Sequence, residues 1–267
     1  MNLYSLLQRR AADGRPVRVG LIGAGKFGSM FLAQARVSDG LHIAGVADLD
    51  VAAARAAFMR TGWPDGAADA ASFGEAVRTG ASHVTDDAEA LIGAGPIDVI
   101  IEATGDPAAG IRHARACRRA GKHLVMVNVE ADALAGPLLA REAQQAGLIY
   151  SLAYGDQPAL ICELVDWARA AGLGVVAAGK GTKYLPAYHA STPETVWDHY
   201  GLGPGQAAAG GMNPRMFNSF LDGTTSAIEM AAVANATGLT PAPAGLVFPP
   251  CGTDALASVL RPAGEGG

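Results

Sequence analysis

The sequence contains little cysteine, few charged residues and no long apolar segment. Its three cysteines, Cys117, Cys162 and Cys251, lie far apart, and no two of them form a CxxC pair. Disulfide frameworks and structural zinc sites need paired cysteines, so we expect neither, and we expect a reduced, cytoplasmic protein. No apolar run is long enough to cross a bilayer, and the N-terminus has no basic region before an apolar core. We therefore expect no membrane segment and no signal peptide.

Basic clusters are also missing. Charged residues make up 17% of the 267 residues, the net charge is −5, and Lys and Arg form no block interleaved with aromatic side chains. Phosphate backbones are bound by clustered cations, so we expect no nucleic-acid partner. Half of the residues are hydrophobic, which is enough to bury a substantial core.

The first part of the chain alternates between strand and helix patterns. Short runs of branched apolar residues at 17–23, 41–48, 97–104 and 122–128 predict strands, with mostly helical periodicity between them. Fully apolar strands separated by helices are typical of a parallel sheet that is covered on both faces. We therefore predict an α/β fold, with a Rossmann-type doubly wound parallel sheet over residues 1–150.

The pattern changes near residue 150. Apolar runs at 148–154 and 173–179 predict strands on either side of a helix over 157–172, and stretches rich in Gly, Pro and Ala follow. We predict that residues 151–267 form a second, α+β domain for catalysis and oligomerisation. Residues 63–80, within the first domain, lack a regular pattern and are predicted to form an irregular insertion.

A glycine-rich turn follows the first predicted strand. The sequence GAGKFG fits G-x-G-x-x-G and opens a helical segment, and Asp48 ends the next strand twenty residues after Gly28. In Rossmann folds the first glycine permits the tight turn, the second lets the backbone approach the pyrophosphate, and the third allows close helix packing. The predicted cofactor loop comprises Gly23, Ala24, Gly25, Lys26, Phe27 and Gly28.

Asp48 indicates which dinucleotide is preferred. A carboxylate at this position accepts hydrogen bonds from the adenosine ribose and repels a 2′-phosphate. Arg55 gives the opposite signal, because a guanidinium nearby would bind a phosphate. We predict an NAD(P)-binding protein in which NAD is favoured.

Polar residues follow two further predicted strands. Thr104 and Gly105 follow the run DVIIEA, and Asn128 and Glu130 come after HLVMV. The carboxyl ends of parallel strands meet at the edge where cofactors bind, so we predict that these four residues lie near the nicotinamide half. A second interpretation of Glu130 is open, in which its carboxylate stabilises a helix N-terminus.

Six motifs resemble, in order, those of the homoserine-dehydrogenase-like oxidoreductases over residues 15–267; they are GxGxxG, EATG, VNVEAD, YGDQPALICELVDWAR, GKGTKYLP and NSFLDGTTSAIEMAAVANATG. The sequence is most similar to a branch of predicted homoserine dehydrogenases that usually carries a C-terminal SAF domain and includes deoxyxylulose-phosphate-reductoisomerase-like enzymes. The resemblance implies an NAD(P)-dependent oxidoreductase. Because family members continue beyond the final sequence RPAGEGG, we expect the SAF region to be absent here and the second domain to be truncated.

The resemblance also implies roles for individual residues. Asp222 matches the aspartate of the family's last catalytic helix. The branch has a lysine near position 225, and this chain has Thr225 there. The Asn-Lys pair of homoserine dehydrogenases appears here as Asn128-Val129. Further polar candidates in the second domain are Glu229 and His189.

Two lysines, Lys180 and Lys183, directly follow the predicted strand 173–179. If that strand ends at the cofactor edge, an ammonium there can polarise a carbonyl or donate a proton to a forming alkoxide. In the alternative, one lysine faces solvent and the other pairs with Asp156 or Asp222. Asp156 itself is a candidate general base, lysine partner or metal ligand. The predicted catalytic residues are Lys180, Lys183, Asp156 and Asp222; no metal ligand set is assigned.

Three functions follow from these predictions. The first is an NAD(P)-dependent oxidoreductase that transfers a hydride to or from a small polar hydroxy or keto substrate, including phosphorylated compounds. The second is a metal-assisted reductoisomerase of the deoxyxylulose-phosphate type, which would need Mg or Mn. The third is a non-catalytic dinucleotide-binding protein, which Thr225 suggests. We also expect a homo-oligomer, such as a dimer.

Overall fold

The chain divides into two compact units, Met1–Tyr154 and Gly155–Gly267. The computed structural model describes residues 2–262 and 264. Each unit contains hydrophobic clusters of its own, the largest of them in the first unit. The two units therefore have separate hydrophobic cores. Within the described residues, only the first unit contains a sheet.

A six-stranded parallel sheet forms the centre of the first unit. Its strands are β1 (Val17–Ile22), β2 (Leu41–Ala47), β3 (His83–Thr85), β4 (Val99–Glu102), β5 (His123–Met126) and β6 (Tyr150–Leu152). Their spatial order is β3-β2-β1-β4-β5-β6, with every neighbouring pair parallel. The chain builds outward from β1 to β3 and then continues on the other side at β4. The switch point of a doubly wound fold therefore lies between β1 and β4.

Both faces of this sheet are buried, as the apolar strand sequences predict. Successive residues of a strand point to opposite faces, so Leu21 belongs to one hydrophobic cluster and Ile22 to the other. Ile101 and Ile100 alternate in the same way in β4. The predicted α/β fold with a doubly wound parallel sheet is confirmed.

The helices of the first unit connect and cover the strands. They are α1 (Leu3–Ala12), α2 (Lys26–Ala35), α3 (Val51–Arg60), α4 (Phe73–Thr79), α5 (Ala88–Gly93), α6 (Pro107–Ala120) and α7 (Val129–Gln145). Side-chain caps define several of their starts, because the oxygen of a capping residue accepts a first-turn N–H that has no partner within the helix. Such caps are Asp50, Ser72, Asp87, Asp106 and Asn128. The prediction of an irregular insertion at 63–80 was wrong in part, because the helix α4 begins after Ser72, within this range.

Lys122 stabilises the connection into β5. Its side chain is buried, and Nζ donates hydrogen bonds to the carbonyl oxygens of Ala94 at 2.8 Å, Gly95 at 3.3 Å and Ile97 at 2.6 Å. Burial lowers the pKa of the Lys122 ammonium. The ammonium satisfies three carbonyl groups that follow α5, and so it ties the turn before β4 to the start of β5.

The described residues of the second unit form helices and irregular segments. The helices are α8 (Gln157–Ala170), a 3₁₀ helix (Pro186–Ala190), α9 (Val196–Tyr200), α10 (Pro204–Ala209), α11 (Pro214–Leu221), α12 (Thr224–Thr237) and α13 (Leu256–Val259). The helices α8 and α12 share a small core of Ile161, Val165 and Val233. Nowhere in residues 2–262 is a helix both long and apolar enough to span a membrane.

The strand predicted at 173–179 is not formed. This run is irregular backbone, and its Val175 and Ala178 pack against the cluster between α8 and α12. These two side chains are only partly buried, and Leu173 and Val176 are 55% and 68% exposed, so the run is not covered as an internal strand would be. The described part of the second unit thus lacks the β component of the predicted α+β domain.

Candidate functional site

The glycine turn after β1 is shaped by steric limits at Gly23 and Gly28. Gly23 has a φ of +97°, and a Cβ atom on it would lie 2.6 Å from the carbonyl oxygen of Ala103. A Cβ atom on Gly28 would clash with the carbonyl oxygen of Gly23. A side chain at either position would therefore push the turn away from the residues that pack on it.

Gly25 differs from these two glycines. It is the exposed N-cap of α2, its φ is −67°, and no other residue's atom lies within 4 Å of the point that a Cβ would occupy. The packing of the protein therefore does not require glycine at this position. Open space before a helix N-terminus, with unpaired N–H groups and a positive dipole, is the environment that a pyrophosphate needs. The turn therefore fits a dinucleotide.

The remaining predicted residues of the loop divide into one buried and two exposed positions. Ala24 is 7% exposed. Lys26 and Phe27 are exposed in the first turn of α2, where a bound pyrophosphate would lie nearby. Their contacts with a cofactor stay predictions.

Asp48, at the end of β2, braces the glycine turn. Its Oδ2 accepts a hydrogen bond from the N–H of Ala24 at 2.7 Å, and its Oδ1 accepts one from the N–H of Asp50 at 2.9 Å. A carboxylate oxygen can accept a second hydrogen bond, so both oxygens retain the capacity to bind a ribose hydroxyl. Asp48 thus has a structural role that the sequence did not predict, beside the predicted ribose contact.

The loop after β4 lies beside the glycine turn, as the contact between Ala103 and Gly23 requires. Thr104 Oγ1 donates to Glu102 Oε1 at 2.6 Å and accepts the N–H of Asp106 at 3.3 Å. Gly105 is exposed and has a φ of +72°, a conformation that favours glycine. The structure therefore brings two predicted nicotinamide-side residues next to the predicted pyrophosphate site.

Asn128 and Glu130 both lie at the start of α7, but their surroundings differ. Asn128 is 2% exposed; its Oδ1 accepts the N–H of Ala131 at 3.1 Å, and its Nδ2 donates to the carbonyl oxygen of Asp106 at 2.8 Å. Glu130 is exposed in the first turn of α7, where a carboxylate stabilises the helix dipole. Asn128 therefore links α7 to the loop after β4, and the helix-dipole interpretation of Glu130 agrees with its position.

A buried acid of α7 contacts a partly buried phenol of β6. Asp132 is 4% exposed, and its Oδ1 accepts a hydrogen bond from Tyr150 Oη at 2.8 Å. Burial raises the pKa of the Asp132 carboxyl, although the hydrogen bond from Tyr150 opposes this rise. Burial and the charge of Asp132 raise the pKa of Tyr150. The phenol therefore stays protonated and donates to the acid.

Lys180 forms an ion pair with Glu229 of α12. The side chains of the two residues are only 17% and 9% exposed. The partner is therefore Glu229, and the alternative pairing of a lysine with Asp156 or Asp222 was wrong for Lys180. Because the strand at 173–179 is absent, packing and this ion pair hold Lys180, and no strand end positions it.

The other three predicted catalytic residues have separate surroundings. Lys183 is exposed in an irregular segment. Asp156 is the N-cap of α8, where its Oδ1 accepts the first helical N–H at 2.9 Å. Asp222 follows α11 and accepts hydrogen bonds from Asn218 Nδ2 at 3.0 Å and the N–H of Thr224 at 2.8 Å. In the part of the chain that the structure describes, no hydrogen bond or ion pair joins any two of the four.

Thr225 and His189 also have local partners. Thr225 Oγ1 donates to Ser219 Oγ at 2.7 Å, which joins α12 to α11. His189 is exposed, and its Nδ1 lies 3.2 Å from Tyr184 Oη. A search of the described residues finds no group of three or more His, Cys, Asp or Glu side chains that could hold a metal ion. The Mg or Mn of the reductoisomerase alternative therefore gains no support.

Two family models match the chain, one within each unit. Residues 17–127 match the Gfo/Idh/MocA model, described as "Oxidoreductase family, NAD-binding Rossmann fold". Residues 155–267 match a model described as "Oxidoreductase DRL, catalytic domain". Both models describe oxidoreductases, and the first describes an NAD-binding Rossmann fold. No curated protein matches its sequence.

Solved structures similar to this chain come from several bacteria. They include an NAD-binding oxidoreductase from Klebsiella pneumoniae (21% identity, TM-score 0.41, 59% of this chain and 39% of that chain). A myo-inositol dehydrogenase from Lactobacillus casei (16%, 0.42, 57% and 42%) and a homoserine dehydrogenase from Thiobacillus denitrificans (19%, 0.42, 58% and 34%) also match. The chain thus spans less than half the length of each of these proteins. Similarity at these identities and TM-scores does not indicate the activity of this chain.

The family models refine the resemblance that the motifs gave. Both descriptions agree with the predicted NAD(P)-dependent oxidoreductase. The Rossmann segment matches Gfo/Idh/MocA oxidoreductases, and the second segment matches the DRL catalytic domain. The narrower placement among homoserine dehydrogenases with an SAF domain does not follow from these matches.

A buried acid and a partly buried histidine of the first unit were missed by the sequence predictions. Glu102 is fully buried at the end of β4, and His113 Nδ1 on α6 lies 3.1 Å from its Oε1. The available signal was the glutamate itself, because an acidic residue in the otherwise apolar run VIIE is unusual for a strand covered on both faces. His113 had no such signal, since helix residues that bind a strand carboxylate follow no fixed spacing.

Proposed function

We propose that this protein is an oxidoreductase that uses NAD to transfer a hydride to or from a small polar hydroxy or keto substrate, including phosphorylated compounds. Gly25 carries the proposal, because it leaves open space before α2 that the protein does not need for its own packing. The nicotinamide supplies the hydride chemistry when it is bound. The chain's own residues bind and orient the cofactor, with the pyrophosphate on the glycine turn.

NAD is the cofactor that the charges around β2 favour. Asp48 places a carboxylate at the end of this strand, where it would repel a 2′-phosphate. Arg55, the nearby cation that would favour NADP, instead pairs with Asp69, with Nη1 and Oδ1 2.8 Å apart. Both observations support a preference for NAD.

Lys180 is the favoured proton donor to the substrate oxygen. Of the two candidate lysines, it is the enclosed one, and Glu229 holds its ammonium in place. An ammonium that is shielded from water stabilises a developing alkoxide more strongly than an exposed one such as Lys183, because the local dielectric is lower.

The test of the proposal is a Gly25→Ala variant. Because its Cβ meets no neighbouring side chain, only the poorer N-cap preference of alanine should lower stability, by about 1 kcal/mol, whereas NADH affinity should fall about tenfold as the methyl group blocks the pyrophosphate. Gly93→Ala is the control, since Gly93 likewise has no atom within 4 Å of its Cβ position. Titration of NADH fluorescence and thermal unfolding of both variants give the two readouts. Unchanged NADH affinity in Gly25→Ala would contradict the proposed site.

Turnover separates this function from its alternatives. A panel of hydroxy acids, polyols and sugar phosphates, followed by cofactor absorbance with NAD and NADP, should yield at least one substrate. Binding of NADH without turnover on any of them would favour the non-catalytic alternative that Thr225 suggested. Activity that EDTA abolishes and Mg or Mn restores would favour the reductoisomerase. Light scattering at several concentrations tests the expected homo-oligomer.

A further inference from the structure

The end of β4 buries an ionisable side chain completely. Glu102 is 0% exposed, although the other residues of this strand are apolar. Removing a carboxylate from water costs several kcal/mol unless charged or hydrogen-bonding partners offset the loss. The contacts of Glu102 therefore indicate what its burial achieves.

These contacts reach the loop that follows the strand. Oε1 of Glu102 accepts the hydroxyl hydrogen of Thr104 at 2.6 Å and lies 3.1 Å from His113 Nδ1. Because the Thr104 hydroxyl gives its one hydrogen to Glu102, its oxygen can only accept from its other neighbours. Those neighbours are the N–H of Asp106 at 3.3 Å and Nδ2 of Asn128 at 3.4 Å, and both are donors. The rotation of the Thr104 hydroxyl is thereby fixed.

The helix α6 makes room for this network at Gly110. A Cβ atom there would lie 2.8 Å from Asn128 Nδ2 and 3.3 Å from Glu102 Oε2. The loop's opposite side meets the glycine turn, where Ala103 leaves no space for a side chain at Gly23. The loop over residues 103–106 thus lies between the network and the predicted pyrophosphate site.

The sheet order assigns this loop to one half of the cofactor. Asp48 follows β2, on one side of β1, and the loop follows β4, on the other side. A dinucleotide with its pyrophosphate on the turn after β1 and its adenosine ribose at Asp48 extends its second half toward β4. The loop over residues 103–106 therefore faces the nicotinamide half.

We infer that Glu102 is a positioning residue for the nicotinamide half of the dinucleotide. It acts through the Thr104 hydroxyl, which it orients, and His113 supplies the second hydrogen-bond partner of its carboxylate. This inference rests on the proposed NAD binding. It adds Glu102 and His113 to the residues on which cofactor binding depends, although neither is predicted to contact the cofactor.

The experiment compares NADH with ADP-ribose, which lacks the nicotinamide, by isothermal titration calorimetry. Glu102→Leu removes the acceptor at similar size, Thr104→Val removes the hydroxyl at the same shape, and Glu102→Gln keeps an acceptor oxygen. We expect NADH affinity to fall about tenfold in Glu102→Leu and Thr104→Val and to recover in Glu102→Gln. ADP-ribose affinity should stay within about twofold in all three. Glu142→Gln, which removes an acid that pairs with Arg115, is the matched control.

Each outcome has a distinct meaning. Equal losses for NADH and ADP-ribose in Glu102→Leu and Thr104→Val would show a general structural role and overturn the inference. Unchanged NADH affinity in Thr104→Val would also overturn it, and this variant decides the matter if Glu102→Leu does not fold. If the wild-type protein binds neither ligand, the proposed function fails and not merely this inference.

Discussion

The two units of the chain build their candidate sites from different materials. In the first unit, backbone groups dominate: the glycine turn presents N–H groups, and Asp48 and Asn128 hold backbone segments in place. In the second unit the candidates are side chains, and Lys180 is held by Glu229, which is distant in the sequence but in contact with it in the structure. The first kind of site follows from local sequence spacing, whereas the second needs the tertiary structure.

This difference affects how mutations should act. A substitution at a glycine of the turn changes backbone geometry, so fold and binding respond together unless the Cβ points into open space. A substitution at Lys180 removes a charge and leaves the backbone as it was. Four predictions test this contrast, from the largest expected effect to the smallest.

The largest effect is expected for Lys180→Met. Loss of an ammonium that stabilises the substrate oxygen should lower kcat about 10²–10³-fold, with little change in NADH affinity. Methionine keeps much of the apolar stem, so the variant tests the charge more than the packing. Lys183→Met is the control, because Lys183 is exposed, and its kcat should stay within about twofold. Steady-state kinetics on a substrate from the panel provides the measurement.

Normal turnover in Lys180→Met would show that catalysis does not need the Lys180 charge. The contrast between a backbone site in the first unit and a side-chain site in the second would then no longer hold. Lys180 would then be a structural partner of Glu229, and the proton donor would have to be sought among Asp156, Asp222 and their neighbours.

Gly28→Ala should destabilise the first unit. Its Cβ would clash with the carbonyl oxygen of Gly23, so α2 and the turn must separate. We expect a loss of about 2–3 kcal/mol in the free energy of unfolding, together with weaker NADH binding. Urea denaturation measures the first quantity, and NADH titration measures the second. Gly25→Ala, with its open Cβ position, is the matched control; equal stability of the two variants would contradict the packing described here.

Asp48→Asn should relax the choice of cofactor. Loss of the carboxylate charge removes repulsion of a 2′-phosphate, so the ratio of the NADPH to the NADH dissociation constant should fall about tenfold. Asparagine retains one acceptor for the turn, whereas alanine would also release the N–H groups of Ala24 and Asp50. Asp50→Asn, which removes a nearby charge but keeps a helix cap, should leave the ratio unchanged. A wild-type protein without a preference would contradict the role of Asp48.

Asp132→Asn should have the smallest effect, on the pH dependence of stability. Burial raises the pKa of the Asp132 carboxyl above the value of 3.8 expected in the unfolded chain. The native state therefore holds its proton more tightly, and the associated stability is present below the unfolded pKa and lost as pH rises through the native pKa. Each unit of the shift corresponds to about 1.4 kcal/mol.

The amide of Asp132→Asn cannot ionise but can still accept from Tyr150. Its stability relative to wild type should thus increase as pH rises from about 4, and then level off above the native pKa. Urea denaturation at several pH values measures this, with the exposed Asp65→Asn as control. A constant difference at all pH values would contradict a raised pKa.

Most of the architecture of the first unit could be predicted from the sequence. Apolar strand runs, the glycine spacing and the position of Asp48 all reflect local backbone requirements, so they predicted the sheet and its turn. The short strand β3 and the helix α4 were missed, because a three-residue strand and a seven-residue helix leave weak periodicity. Segments this short depend on neighbours for their stability.

The second unit was harder to predict. The run at 173–179 has the composition of a strand, but Val175 and Ala178 pack, partly buried, against helices instead of pairing with a neighbouring strand. An apolar run alone does not distinguish these two forms of burial. The pairing of Lys180 with Glu229 and the network of Glu102 with His113 both join residues from separate elements, which spacing along the chain does not encode.

The lysines of this chain differ in burial, so their reaction with a chemical reagent can report on its structure. It has only four lysines. Lys26 and Lys183 are exposed, whereas Lys122 is buried on three carbonyl groups and Lys180 is enclosed with Glu229. An amine-acylating reagent should therefore modify the first two quickly in the native protein and the other two only after unfolding. Mass spectrometry of the acylated peptides would then report cofactor occupancy at Lys26 and integrity of the sheet at Lys122 in the same sample.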